Sequence, residues 1–533
     1  MKKKNLGFLS LLLAAFLLGS CGNTSGSSSS EASASSAENT SSEISDSDAD
    51  SGHLGGHLNV AMFWVSTGLD PADGYNGWVL SRIGAGETLV RLDQNAEAEP
   101  AIAESWEQTD DNTWVFHIRE GVTFSNGKPV DAAACKASIE RAFSINSRAE
   151  EYFTLDSIEA DGQTLTIHTA TPTGAIVHNL CEPLFTIVDT SVDEETMDTA
   201  PVSTGPYVVT AYSPETSVEL VRNDSYWDGM PGLSTISVFA VPDSDARVLA
   251  MQSGEADLTT TIDNTNLSLF SDESRYTVSL TLGPRTNVVY YNNARPLLSD
   301  ADFRRAVSCA ADTATYAGLI GCAPGSGLYS EALACGRGVE NPYAYNPDMA
   351  AELLDNLGYV DTDGDGVREA DGENISLEYY IAADHGSSDS AIIAQAFQTD
   401  LKKVGIGVEL IQTENMSDIR SAGQYDFCSA NDSTAPTADP EVFLVQHYLS
   451  GGSANFENYK NTEIDGMIEE LTHIFDPDER QLKAREISET ILSDAASLYV
   501  GYIYGNTVTT ANVKGALQFP IDYYIITKDI TIE

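Results

Sequence analysis

The stretch from Ser203 to Leu258 constrains the fold more tightly than any other part of the chain. Thr204-Gly205-Pro206 is a turn, because Gly admits positive φ and Pro fixes its own. Tyr207 to Tyr212, rich in Val and aromatics, predicts a strand. Ser213-Pro214-Glu215 turns the chain, and Val218 to Val221 returns as a second strand. A loop opened by Asn223-Asp224 and pinned by Trp227 closes at Gly229-Met230-Pro231-Gly232. Ile236 to Val241 is a third strand. Asp243 is placed to cap a helix that runs to Ser253, and Gly254 is placed to end it. Ala256-Asp257-Leu258 opens the next strand. Strands joined to a helix in this way belong to an α/β fold.

The chain has 533 residues, enough for two or three domains, and 42% of them are hydrophobic, ample for cores. Lys and Arg number 28 against 80 Asp and Glu, a net charge of −52. So acidic a surface argues against nucleic acid and anionic membrane surfaces as partners. Residues 1–20 read as a targeting segment: Lys2-Lys3-Lys4, then a short apolar run from Leu9 to Leu18. That run ends in Leu18-Gly19-Ser20-Cys21, which resembles a bacterial lipobox and implies cleavage before Cys21 and acylation of its thiol. Two or more acyl chains (palmitate and the like) would anchor the protein without a spanning helix. Residues 21–56 are Ser, Ala, Glu, Asp and Gly, the composition of a solvated tether.

Further phrases extend the pattern. They include Leu69-Asp70-Pro71, Pro100 to Trp106 (PAIAESW), Val122 to Val130 (VTFSNGKPV) and Asn346-Pro347-Asp348. Tyr425-Asp426 and Asp439-Pro440 follow later. Together with the Thr204–Tyr207 turn, the Asn223–Pro231 loop and Gln252 to Asp257, they resemble the peptide/nickel-type (family 5) solute-binding proteins of ABC importers. The likeness spans nearly all of residues 58–533. It implies an α/β, periplasmic-binding-protein-like fold (type II, the large cluster C form) with two hinged lobes and an extra inserted domain. On that reading, lobe 1 comprises 57–92, 201–283 and 508–533. Residues 93–200 form the inserted domain and 284–507 form lobe 2. Pro520 to the C-terminus is expected as a last strand rejoining lobe 1.

The resemblance also implies a function. An exported lipoprotein, monomeric and lipid-anchored outside the cell membrane, would close its lobes on an oligopeptide or related small solute. It would then deliver the solute to an ABC permease and its ATPase. Two alternatives stay open: a surface sensing or chaperone-like lipoprotein with no transporter, and a binder of another solute such as an oligosaccharide or metal chelate. No H-E-x-x-H, G-x-S-x-G or P-loop pattern is present, so no enzyme is expected.

Relatives that bind peptides place an Asp for the free ammonium after a Trp, in the segment that here runs from Tyr425 to Pro440. This chain has no Trp there: counting from Tyr425, Asp432, between Asn431 and Ser433, falls about where the Trp would be, and Ala435 about where the Asp would be. Asp432 either takes the ammonium or caps a turn. His385, in the loop after Tyr380-Ile381, either bonds the solute or faces water. Arg285 at the lobe crossing is a candidate for a carboxylate. Trp64 either stacks on the solute or packs in a core.

Asp361, Asp363, Asp365, the Val367 carbonyl and Glu369 alternate in an acidic Gly-containing loop, and Ca2+ takes about six to eight oxygens. A structural Ca2+ is therefore an expectation, with no cofactor required for function. Gly372 stands where a bidentate Glu would complete the pattern. Of the cysteines after Cys21, Cys322 and Cys335 are the first candidates for a disulfide.

Overall fold

The computed structural model describes residues 55–383 and 388–533. Residues 1–54, including Cys21, and His385 lie outside the described residues.

One mixed sheet runs through the molecule, and two long strands carry it. Tyr276–Tyr291 and Ser497–Thr510 pair antiparallel over most of their length. At one end, Ser497–Thr510 pairs with Leu258–Thr260, which lies beside His57–Met62. Thr235–Ala240, Ser217–Arg222 and Tyr207–Ser213 follow in order. At the other end, Tyr276–Tyr291 pairs with Phe427–Ser433. Ser376–Ala382 and Gly407–Thr413 continue from there in parallel. Among the described residues, two groups of strands are thus joined only through the two long ones.

Each group has its own core. Leu58, Val60, Tyr207, Val218, Leu220, Ile236 and Val238 are buried in the first. Val289, Tyr291, Phe303, Tyr379, Phe397 and Phe427 are buried in the second. A four-stranded antiparallel sheet (Ala103–Asp110, Thr113–Ile118, Thr164–Thr169, Leu155–Asp161) stands apart. Helix Ala132–Ile145 packs on it. Its core is continuous with Val442, Phe443, Ile468, Ile487 and Ile491, from helices that follow the second strand group. Thr437 Oγ1 meets Asn179 Oδ1 at 3.3 Å across this junction, and Gly174 N donates to Thr472 O.

Local signals in the sequence set several element ends. The Asp243 carboxylate accepts from Ala246 N, helix Ser244–Ser253 follows, and Gly254 ends it at φ 77°. Asp131 caps Ala132–Ile145 through Ala134 N. Trp227 donates to Glu87, as does the neighbouring Tyr226 hydroxyl, which ties the Asn223–Gly232 loop to the chain just ahead of the inserted segment.

Two expectations are corrected. Pro520 to the C-terminus is not a strand of the main sheet: only Thr531–Ile532 pairs, with Val513–Lys514. The intervening backbone is used elsewhere, since Arg82 Nε donates to Asp522 O and Ile526 N donates to Arg82 O. Its apolar side chains divide between two cores, Ile521 and Tyr523 in one and Ile525, Ile526 and Ile530 in the other. Strand Tyr276–Tyr291 runs on through Gly283-Pro284, which is absorbed as an irregularity within it. Finally, Cys322 and Cys335 are free thiols that pack with different cores. Among the described residues no helix is long and apolar enough to cross a membrane.

Candidate functional site

The site is built where the two long strands cross from one group to the other. The ladder pairs Leu282 with Tyr504 and resumes at Thr286 with Tyr502. Gly283, Pro284 and Arg285 therefore stand opposite Ile503 alone. Pro284 has no N–H to give the ladder, and its carbonyl is taken by Thr434 N at 2.9 Å and Thr434 Oγ1 at 2.8 Å. A bulge of this kind bends the strand and re-aims its side chains. Here it directs Arg285 into a cavity of about 280 Å3.

Elements from both strand groups wall that cavity. Phe63, after strand His57–Met62, and Thr261, after Leu258–Thr260, come from one side. Asn431 and Ser433, at the end of Phe427–Ser433, come from the other. Ligands of open α/β sheets bind outside the carboxyl ends of strands for this reason: the helices and loops that follow leave a crevice there. The C-terminal segment closes a further wall with Pro520, Ile521 and Asp522.

Arg285, Asn431 and Ser433 are thus brought together. Strand pairing explains it: Arg285 is opposite Ser433 and Asn287 opposite Asn431, so their side chains share a face. The Arg285 guanidinium makes no hydrogen bond or ion pair among the described residues. Asp432, between Asn431 and Ser433, faces the opposite way by the same alternation. It accepts a hydrogen bond from the buried Tyr290 hydroxyl. Tyr290 also lies 3.5 Å from His447 Nδ1. Burial holds that imidazole down at about 4, against the pull of Asp432. Trp64 does not line the cavity and packs, half-buried, against the first core.

Sequence reasoning missed Asp522. It lies on the cavity wall and is held by Arg82, whose Nη2 donates to Asp522 Oδ2 at 2.7 Å. Arg82 is itself almost fully buried, between the Phe63 and Trp78 rings. Burial raises the Asp522 pKa, but Arg82 and then Arg285 outweigh it, and the carboxyl is held below its ordinary value. Nothing in the sequence pairs Arg82 with a residue 440 positions away.

In the acidic loop, Asp361, Asp363 and Glu369 bring one oxygen each within 4.8 Å of one another. Asp365 is directed elsewhere, its oxygens accepting from Val367 N and Asn374 Nδ2. Gly372 turns a short hairpin at φ 84° that pairs Glu369–Ala370 with Glu373–Asn374.

Two strand groups joined by two crossing strands, with a mostly uncharged cavity at the crossing, define a two-lobed solute-binding protein of the type II periplasmic form. The family model of the bacterial extracellular solute-binding proteins, family 5, matches residues 97–455, and the chain belongs to that family. The nickel-binding protein NikA of Staphylococcus aureus is 26% identical over 483 residues, covering 90% of this chain and 95% of that protein. Its crystal structure in complex with Ni(L-His)2 superposes with a TM-score of 0.75 at 24% identity, over 90% of this chain and all of that one. The oligopeptide-binding protein AppA of Bacillus subtilis, solved in complex with a nonapeptide, gives a TM-score of 0.74 at 20% identity. That match covers 90% of this chain and 99% of AppA. The protein is accordingly an ABC-importer solute-binding protein and not an enzyme. Proteins of this family work with permease and ATPase components, outside the cytoplasm.

Proposed function

We propose that this protein captures an oligopeptide or related small solute bearing a carboxylate, in the cavity at the lobe crossing, and hands it to an ABC permease. The observation that carries this reading is Arg285: a guanidinium aimed into the cavity with no hydrogen bond or ion pair among the described residues. Charge-assisted bonds to carboxylates are the strongest use of such a group. Peptides carry a carboxylate at the C-terminus, and metal chelates of amino acids carry one as well. That chemistry is shared by the solutes of the two relatives, Ni(L-His)2 in one and a nonapeptide in the other. Binding in contact with both lobes would favour the closed arrangement.

Thermal-shift and calorimetric titration against peptide pools, and against nickel with histidine, tests the reading. Arg285→Gln is expected to weaken binding about tenfold or more. A response to neither class, with a response to oligosaccharides, would sink it. A response to nickel–histidine alone would move the solute from peptide to chelate.

We further propose that Cys21 carries the lipid anchor, that the protein works as a monomer, and that the Asp361–Glu369 loop holds a structural Ca2+. The convergence of Asp361, Asp363 and Glu369 supports the last of these. Calcium should raise the melting temperature of the native protein, and Asp361→Asn should abolish the rise. Cys21→Ser should release the protein from the membrane fraction.

A further inference from the structure

A second cavity, of about 270 Å3, lies between the Val90–Leu92/Ala98–Pro100 hairpin and the C-terminal segment. Among the described residues none lines both cavities, so the second is not an extension of the solute site. The C-terminal segment serves as a wall of each: Leu517, Phe519, Tyr524 and Ile526 line the second, Gln518, Pro520, Asp522 and Ile525 the first. Every charged side chain on the second wall already has a partner there or beside it. Arg91 Nε donates to Glu99 Oε1 at 2.7 Å, and Lys528 Nζ lies 3.3 Å from Asp529 Oδ1. Glu87 accepts the Tyr226 hydroxyl at 2.6 Å and Trp227 Nε1 at 2.9 Å. Most of the remaining wall is apolar: Leu92, Pro206, Leu517, Phe519, the Tyr524 ring and Ile526. Phe519 and Tyr524 meet edge to face, with centroids 5.4 Å apart. Leu517 is 46% exposed, which puts the mouth of the cavity beside it. The Tyr524 hydroxyl is only half used. It accepts from Leu92 N at 3.1 Å, and its own proton has no acceptor among the described residues.

Protein interiors are close-packed, and voids wider than a water are few. An apolar void of about 150 Å3 already holds a benzene-sized molecule. Ligand sites are mostly apolar, with a few placed polar groups that fix orientation. We infer that the second cavity is a binding site separate from the solute site, for a small uncharged molecule with an apolar body and one hydrogen-bond acceptor. The body packs on Phe519 and Ile526, where an aromatic ring would extend the edge-to-face pair. The acceptor takes the Tyr524 proton. A charged ligand would find no unpaired counter-charge on this wall and would lose its hydration on entering. The inference stands independently of the carboxylate reading above.

The test is calorimetry on the full chain with two probes of one shape, acetophenone and isopropylbenzene, of which only the first has an acceptor. Both are expected to bind. Leu517→Glu should weaken each about fivefold or more by placing a charge at the apolar mouth. Arg285→Gln should change neither. Tyr524→Phe should weaken acetophenone about threefold or more and leave isopropylbenzene nearly unaffected. An equal effect on the two probes overturns the acceptor. Should Tyr524→Phe fail to fold, the infrared carbonyl stretch of acetophenone bound to the unaltered protein decides the same point. A frequency below that in hexane shows the hydrogen bond, and an unshifted one overturns it. Xenon under pressure should enter the second cavity in crystals of the unaltered protein. Failure of both probes to bind, absence of xenon from the cavity, or binding lost in Arg285→Gln but kept in Leu517→Glu overturns the inference and leaves the carboxylate reading standing.

Discussion

Glu457 is completely buried, and neither of its carboxyl oxygens meets a donor with hydrogen-bonding geometry. Burial pushes its pKa well up, the Asp432 carboxylate adds to this, and Arg420 opposes it. The folded protein therefore holds a proton that the unfolded chain releases above about pH 4.3. Stability from this group is full below that pH and is lost as pH rises through the folded-state pKa. Glu457→Gln keeps the shape and removes the titration. Urea unfolding between about pH 5 and about pH 8 should show a smaller loss of stability for Glu457→Gln than for the natural protein. An equal slope for the two would show that Glu457 is charged in the folded state. None of this is visible in the sequence, where Glu457 is one acidic residue among 80.

At the scale of elements, Arg480 shows how a family phrase acquires a physical reason. It lies on helix Pro477–Ser493 and binds Asp439 through Nε at 2.8 Å and Nη2 at 2.7 Å. Nη2 also reaches Glu441, and Nη1 reaches the Leu471 and Ile474 carbonyls. All three charged side chains are buried. Removing one partner of such a group leaves unpaired charge in the interior, at a cost of roughly 3–5 kcal/mol. Arg480→Met should lower stability by about that much, read by denaturant unfolding, with the larger part of the loss relieved when Asp439 and Glu441 are also made neutral. Caps such as Asp243 and Gly254 were legible because they act within one turn of chain. The Gly283-Pro284 bulge was not: a Gly-Pro pair ordinarily ends a strand, and only pairing with Ser497–Thr510 carries the strand through it.

For the whole molecule, two strands form the only sheet connection between the lobes among the described residues. Such a link is expected to act as a hinge. Small-angle scattering should record a smaller radius of gyration when a solute that responds in the peptide and nickel–histidine titrations is added, and Arg285→Gln should require more solute for the same change. The lobes need no covalent bridge: Cys135, Cys181, Cys309, Cys335 and Cys428 are buried thiols, and burial pushes half-buried Cys322 up to about 12. Reductant should leave the melting temperature unchanged, and thiol reagents should react with these six only after unfolding.

By itself the sequence determined the class of fold, the strand–turn–strand–helix unit from Tyr207 to Ser253, and the family, because turns, caps and alternation are written in neighbouring residues. Arg285 could be singled out because it stands in a local break. The tertiary structure alone decided which side of a strand faces the solute, and so set Asn431 and Ser433 on the cavity and Asp432 against Tyr290. It alone brought Asp522 to Arg82 and onto the wall of the cavity that Arg285 lines, since an electrostatic site depends on distances in space that residues hundreds of positions apart do not encode locally.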